Sequence, residues 1–189
     1  MHDNKMRTEI LTIDKGQCLT DVLPAIPANT IFDKTITGCG ATHSEIVNAA
    51  RHSIIIEPNI PVILGKKAEH PFLFAVYEGI TKEDVKAYLA GEHDGYRKII
   101  TTPEGFDKKV LPAMHELEIP VYKDYFLLFD ECEKAIQDVG YRGDIYLPVE
   151  DFFKFENKAM VSATPIVPSD PRFGENGFKI LKLVPTYDS

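Results

Sequence analysis

The sequence predicts an α/β fold, a layered sandwich built on a mainly parallel sheet. Three observations carry that prediction. Short β-branched or aromatic runs alternate with helix-like segments, the runs are apolar on successive residues, and their carboxyl ends hold the unusual polar residues. Continuous apolar runs are what a parallel sheet requires when both of its faces are buried. Strands alternating with helices imply βαβ units, and such sheets gather their ligands at the carboxyl ends of the strands. At 189 residues the chain is long enough for one domain with a sizeable core.

The elements follow in order. Thr30-Ile31-Phe32 leads into a glycine-rich turn, with a helical stretch from Ser44 to Arg51. Ser53-Ile54-Ile55-Ile56 is a β-branched run that stops at the turn signal Glu57-Pro58-Asn59. The run from Phe72 to Tyr77 is the next strand. Thr81 caps a helix, because Thr-Lys-Glu-Asp places an acid at the third helical position. Lys98 to Thr102 is a strand ended by Pro103, and Phe106 to Leu117 sets Val110, Leu111, Met114 and Leu117 along one helical side. Phe126 to Phe129 ends in acids, Met160-Val161 ends at Ser162-Ala163-Thr164-Pro165, and Phe178 to Val184 is a final strand.

Composition narrows the function. A formal net charge of −8 excludes nucleic-acid binding by bulk attraction, which comes from neutralising phosphates with Lys and Arg. Local contact is open to Lys66-Lys67, Arg97-Lys98 and Lys108-Lys109, although each pair also reads as an ordinary solvated face. Cys18, Cys39 and Cys132 lie far apart, which fits a reducing compartment and neither a disulfide framework nor a zinc site. No apolar run is long enough for a membrane span, and the first residues are too polar for a signal peptide. The expectation is a soluble, cytoplasmic protein with no membrane partner.

Three segments carry chemistry. In Thr37-Gly38-Cys39-Gly40-Ala41-Thr42, glycines at these spacings let backbone N–H groups turn inward onto phosphate oxygens, and the Thr42 hydroxyl suits Mg²⁺. A Gly-x-Gly turn also serves plain chain reversal. In Leu127-Leu128-Phe129-Asp130-Glu131, an apolar strand ends in two acids, which near a core need a partner or a metal. In a nucleotide site the Asp holds Mg²⁺ and the Glu orients or deprotonates the attacking water; a strand running out into a solvated turn gives the same pattern. Ser162 and Thr164 offer two hydroxyls after a strand, equally good as turn residues.

Taken together, their order and separations resemble the first motor domain of superfamily 2 helicases, the DEAD/DEAH-like group, from about Ile26 to Pro165. Thr37 to Thr42 looks like motif I, the Walker A loop; Ile55 to Asn59 is similar to motif Ia; Thr101 to Gly105 is similar to motif Ib. Asp130-Glu131-Cys132-Glu133 looks like motif II, and Ser162-Ala163-Thr164 matches motif III. The resemblance implies a RecA-like P-loop NTPase fold, a three-layer α/β/α sandwich over residues 26–189, with residues 1–25 an N-terminal extension packed on it. It implies ATP and Mg²⁺ as cofactors. Thr37, Gly38, Cys39, Gly40, Ala41 and Thr42 would form the cradle, Thr42 and Asp130 would hold the metal, and Asp130 and Glu131 would be catalytic, Glu131 as the base. Ser162 and Thr164 would couple the nucleotide site to nucleic acid, single-stranded or duplex, which Pro58, Asn59, Thr101, Thr102 and Gly105 would contact.

The chain departs from that pattern twice. Ala41 stands where the Walker A lysine is expected, so a charge-assisted phosphate contact is missing. Lys34, just before the loop, is a candidate replacement for that charge and also reads as an exposed strand-end lysine. The segment 165–189 is too short for the second RecA-like domain that such motors close around ATP, which is expected in the same longer chain or in trans. Arg172 is the lone arginine there, and His43 beside the loop reads as a helix-start histidine that also lies within reach of a phosphate. The expected function is a nucleotide-binding motor domain of a helicase-like ATPase, weakened in hydrolysis. The alternative is a non-hydrolysing, helicase-derived module that binds nucleic acid or a protein partner.

Overall fold

The computed structural model describes residues 6–34, 40–130, 149–164, 168 and 170–187. The strands are β1 (Thr8–Ile13), β2 (Thr30–Lys34), β3 (His52–Ile56), β4 (Phe74–Val76), β5 (Lys98–Thr101), β6 (Tyr125–Phe129), β7 (Lys158–Ser162) and β8 (Lys179–Pro185). They form one eight-stranded sheet in the order β1-β8-β2-β7-β6-β3-β5-β4, with every neighbouring pair parallel. Parallel neighbours need crossovers. These are supplied by helices that include α1 (Leu19–Val22), α2 (Ala41–Val47), α3 (Ile60–Glu69) and α4 (Lys82–Ala90).

The three layers follow from the two-residue period of strands. Ile54, Ile56, Leu127, Phe129 and Met160 face one apolar cluster, while Ile55, Phe126, Leu128, Ala159 and Val161 face a second. Both faces of the central strands are therefore buried, as their continuous apolar runs require. The outer strand β1 alternates between exposed and partly buried positions and pairs with β8 from Thr8↔Ile180 to Ile13↔Pro185. The segment ahead of residue 26 thus contributes an edge strand to the same sheet.

Three helices differ from expectation: α2 spans Ala41–Val47 rather than residues 44–51, its C-cap Asn48 already being extended. The stretch Ile60–Glu69, where the sequence shows only the Glu57-Pro58-Asn59 turn, is the helix α3, with Pro61 in its first turn and Ile63 its buried residue. The helix expected over residues 106–117 begins earlier, at Pro103–Gly105, and passes through a π-helical turn, Phe106–Val110, before Leu111–Glu116. Pro112 explains the widened turn: proline has no N–H and its ring would clash with the carbonyl four residues back in a regular helix. α4 is capped as expected, with Thr81 Oγ1 accepting from the Asp84 N–H at 3.1 Å and Asp84 Oδ2 accepting from the Thr81 N–H at 2.8 Å. Among the described residues, no helix is long and apolar enough to cross a membrane.

Candidate functional site

Because all strands run the same way, the carboxyl ends of β2, β7 and β6 open on one edge of the sheet. β7 lies between the other two, pairing Asp33 with Ser162 on one side and Phe129 with Met160 on the other. β2 ends in Asp33-Lys34 and β6 runs directly into Asp130, whose N–H donates to Ile56 O at 2.8 Å and extends the β3–β6 ladder. α2 brings its first turn to the same place.

The central contact joins residues far apart in sequence. Thr42 Oγ1 donates a hydrogen bond to Asp130 Oδ2 at 2.7 Å. Thr42 is 7% exposed and Asp130 4%. A carboxylate this desolvated is costly unless it is bonded or paired, and Lys34 supplies the cation: its Nζ lies 3.9 Å from Asp130 Oδ1. The Lys34 side chain is 19% exposed and reaches Asp130 past the end of the intervening strand, so it is not a solvated strand-end lysine. Gly40 starts α2 with φ +88°, a left-handed conformation that glycine adopts without strain.

The remaining candidates sort by exposure. Ala41 is 3% exposed and belongs to the apolar cluster on its face of the sheet. Ser162 is buried, its hydroxyl bonded to the Thr164 carbonyl and accepting the Thr164 N–H at 3.2 Å, while Thr164 itself is exposed. Pro58 and Asn59 are half-buried ahead of α3, where Glu57 Oε1 accepts the Asn59 N–H at 3.0 Å. Thr102 is half-buried and its Oγ1 accepts the Gly105 N–H at 3.0 Å, whereas Thr101 and Gly105 are buried. Thr37, Gly38, Cys39 and Glu131 lie outside the described residues.

Two buried acids at this edge escaped the sequence reading. Asp33 is 4% exposed, and its Oδ1 has no hydrogen-bond partner among the described residues. Burial raises its pKa above the usual carboxylate range, with Lys182 on β8 pulling the other way. Its signal was present: Thr-Ile-Phe-Asp33 is an apolar strand ending in an acid, like Leu-Leu-Phe-Asp130. Glu57 is the other, buried at the end of β3.

The opposite, amino end of the sheet holds α2 in place. Glu45, on the same helix as Thr42, is buried and accepts from Arg51 Nε at 3.0 Å, Arg51 Nη2 at 2.5 Å and Ser53 Oγ at 2.5 Å. Lys98 Nζ lies 3.8 Å from Glu45 Oε2 and donates to Ser53 Oγ and Arg51 O, both at 2.8 Å. The Arg51 guanidinium also sits 3.5 Å over the Phe126 ring. Lys98 therefore corrects the reading of Arg97-Lys98 as a solvated face: it is 3% exposed, and desolvation pulls its pKa down to about 8 despite the Glu45 charge. Arg172 is engaged locally, forked onto Asp170 through Nε at 3.1 Å and Nη2 at 2.7 Å, with its guanidinium 4.8 Å over Phe153.

No family model matches the chain, and no curated protein sequence does. A solved structure does: the chain is similar to the helicase domain of Hef from Pyrococcus furiosus, with a TM-score of 0.53 at 14% identity. The match covers 86% of this chain and 36% of that one, so the chain spans little more than a third of the neighbour's length. At this identity the likeness establishes architecture, and with the all-parallel sheet it assigns the chain a RecA-like α/β fold shared with a helicase domain.

Proposed function

We propose that this chain is the nucleotide-binding unit of a helicase-like motor that acts on nucleic acid, with hydrolysis weakened by the absence of the Walker A lysine. The observation that carries this reading is the buried Thr42–Asp130 hydrogen bond. It joins a hydroxyl from the start of the loop helix to a carboxylate at the end of β6. A hydroxyl and a carboxylate are the hard oxygen donors that Mg²⁺ takes in phosphate sites, so the residues present fit a Mg²⁺–ATP complex.

In this reading Thr42 and Asp130 hold the metal, and the bound metal neutralises phosphate charge. Lys34 provides the ammonium that Ala41 does not, from the preceding strand rather than from the helix. Gly40 and the loop residues Thr37, Gly38 and Cys39 shape the cradle, and Glu131 is the base that takes the proton of the attacking water. Ser162 and Thr164 link that edge to a nucleic-acid path past Pro58, Asn59 and Thr102. Thr101 and Gly105 support that path from beneath, since both are buried. Phosphoryl transfer depends on positioning and charge stabilisation, so a displaced cation preserves binding better than turnover. Full activity then needs a second RecA-like domain, in the same longer chain or in trans.

Thermal unfolding with and without Mg-ATP tests the reading. A ligand at a hundred times its dissociation constant stabilises by about 2.7 kcal/mol, roughly 5–11 °C for a domain of this size. The expected result is such a rise in the unaltered chain and its loss in Asp130→Ala. Ala41, packed in the apolar cluster, favours a second reading as a non-hydrolysing module that binds nucleic acid or a protein partner. Absence of any shift at millimolar Mg-ATP would put that reading first.

A further inference from the structure

We propose that His43, Glu69 and His70 form a divalent transition-metal site of the zinc class, bridging α2 and the end of α3. His43 follows Thr42 on α2, Glu69 is the last residue of α3, and His70 caps that helix. His43 Nδ1 lies 3.2 Å from His70 Nε2, and the same His70 nitrogen lies 3.8 Å from Glu69 Oε2. All three ligand atoms fall within 4.8 Å of one another. Zn–N bonds of about 2.0–2.1 Å in a tetrahedral site place two ligand nitrogens about 3.3 Å apart, so the imidazole pair, joined here by a hydrogen bond that a metal would replace, already stands at metal-binding separation.

The helix end favours a cation, with the Lys66 ammonium acting against it. His70 is the more buried half of the pair: its backbone N–H donates to Lys66 O at 2.9 Å, and its ring meets the Phe72 ring edge-on at 5.7 Å. The carboxyl end of a helix carries partial negative charge, and α3 directs that end at this cluster. Glu69 is 59% exposed in its side chain and free to swing inward, at the expense of a 3.6 Å ion pair with Lys66. An exposed pair of that kind is worth less than ~1 kcal/mol. Two imidazoles and one carboxylate form the three-ligand set of open zinc centres, with a fourth position for water or a substrate atom. Imidazole selects against Mg²⁺, so this site is chemically separate from the oxygen donors Thr42 and Asp130. The proposal does not depend on nucleotide binding. If a metal is held there, it ties the first turn of α2 to α3.

The test is titration of the full chain with Zn²⁺ alone, read by calorimetry and by competition with a chromophoric chelator. One saturable equivalent is expected, weakened at least ~10-fold in His43→Ala and again in His70→Ala. Glu69→Gln is expected to weaken binding while leaving the circular-dichroism spectrum unchanged, because that side chain is exposed. Asp130→Asn should retain the equivalent, which separates this site from the nucleotide site. Failure of the unaltered chain to bind Zn²⁺ saturably would overturn the proposal. So would retention of the equivalent in both histidine variants, or its loss in Cys18→Ser, since Cys18 is an exposed free thiol.

Discussion

Removing the Lys34 charge should change metal and nucleotide affinity in opposite directions. Lys34→Met keeps most of the apolar stem and deletes the ammonium 3.9 Å from Asp130 Oδ1. At that separation two unit charges interact by about 4 kcal/mol at an effective dielectric of 20. Hydration of the partly exposed ammonium offsets much of this, and a charged hydrogen-bonding contact retains about 1.5–3 kcal/mol. If Lys34 serves the phosphates, Mg-ATP affinity should fall about 10- to 150-fold in the variant. The same ammonium repels a bare divalent ion at Asp130, so Mn²⁺ without nucleotide should bind more tightly once it is gone. Calorimetric titration with Mn²⁺ alone and then with Mg-ATP reads both signs on one sample. Unchanged Mg-ATP affinity would refute the role given to Lys34. Weaker Mn²⁺ binding would show that the lysine organises Asp130 rather than standing in for a missing phosphate contact.

Glu45→Ala should destabilise the fold by about 3–5 kcal/mol in urea unfolding, because it leaves buried Lys98 and half-buried Arg51 without their shared carboxylate; a loss below about 1 kcal/mol would mean that water replaces Glu45. Stability should also rise with pH from about 8 toward 10. There the unfolded chain still protonates Lys98 at its ordinary value while the folded chain, with its pKa lowered to about 8, has released the proton. Above pH 10 stability should fall, because burial raises the pKa of Tyr88 to about 12 and that of Tyr125 in the same direction, so only the unfolded tyrosines ionise. Lys98→Met should flatten the rising limb in chemical denaturation measured across this range. Gly105→Ala should lower the melting temperature by an amount equivalent to about 1–3 kcal/mol. A Cβ there would stand 2.6 Å from Thr101 Oγ1 and 3.1 Å from Val76 Cγ1, and an unchanged melting temperature would show that the Thr101 side chain turns aside.

How much the sequence shows depends on where each element sits. β3 and β6 are legible because both faces are covered, which leaves Ile54-Ile55-Ile56 and Phe126-Leu127-Leu128-Phe129 without a polar residue. β1 is not, because an edge strand half open to water reads as Thr-Glu-Ile-Leu-Thr-Ile, with polar residues among the apolar ones. α3 is obscured because it buries little and opens on a proline-containing turn. Thr42 and Asp130 were legible through the order of the loop and the acidic strand end, and they meet in space. Asp33 carries the same signal, obscured by the glycine-rich loop beside it. Lys98 reads as surface because its carboxylate partner, Glu45, belongs to another element, and a neighbouring arginine gives the pair the look of a surface patch. Contacts of that kind are set by strand order, which local pattern does not encode.

The sheet order also fixes when the site can exist during synthesis. Among the described residues β2, the strand ahead of the glycine-rich loop, pairs with β7 and β8, which follow the other described strands in the sequence. β3, β4, β5 and β6 pair with one another and are complete by Phe129. A chain synthesised only to Asp130 has every strand of that four-stranded part, while Lys34 on β2 and Thr42 on α2 still lack the two strands that flank β2. Closing such long sequence separations is slow, and β7 must insert between β2 and β6 before Thr42 meets Asp130. Termination before Lys158 would leave a fragment without β7 and β8, in which β2 has neither of its described neighbours and the Thr42–Asp130 contact has no strand to bridge β2 and β6.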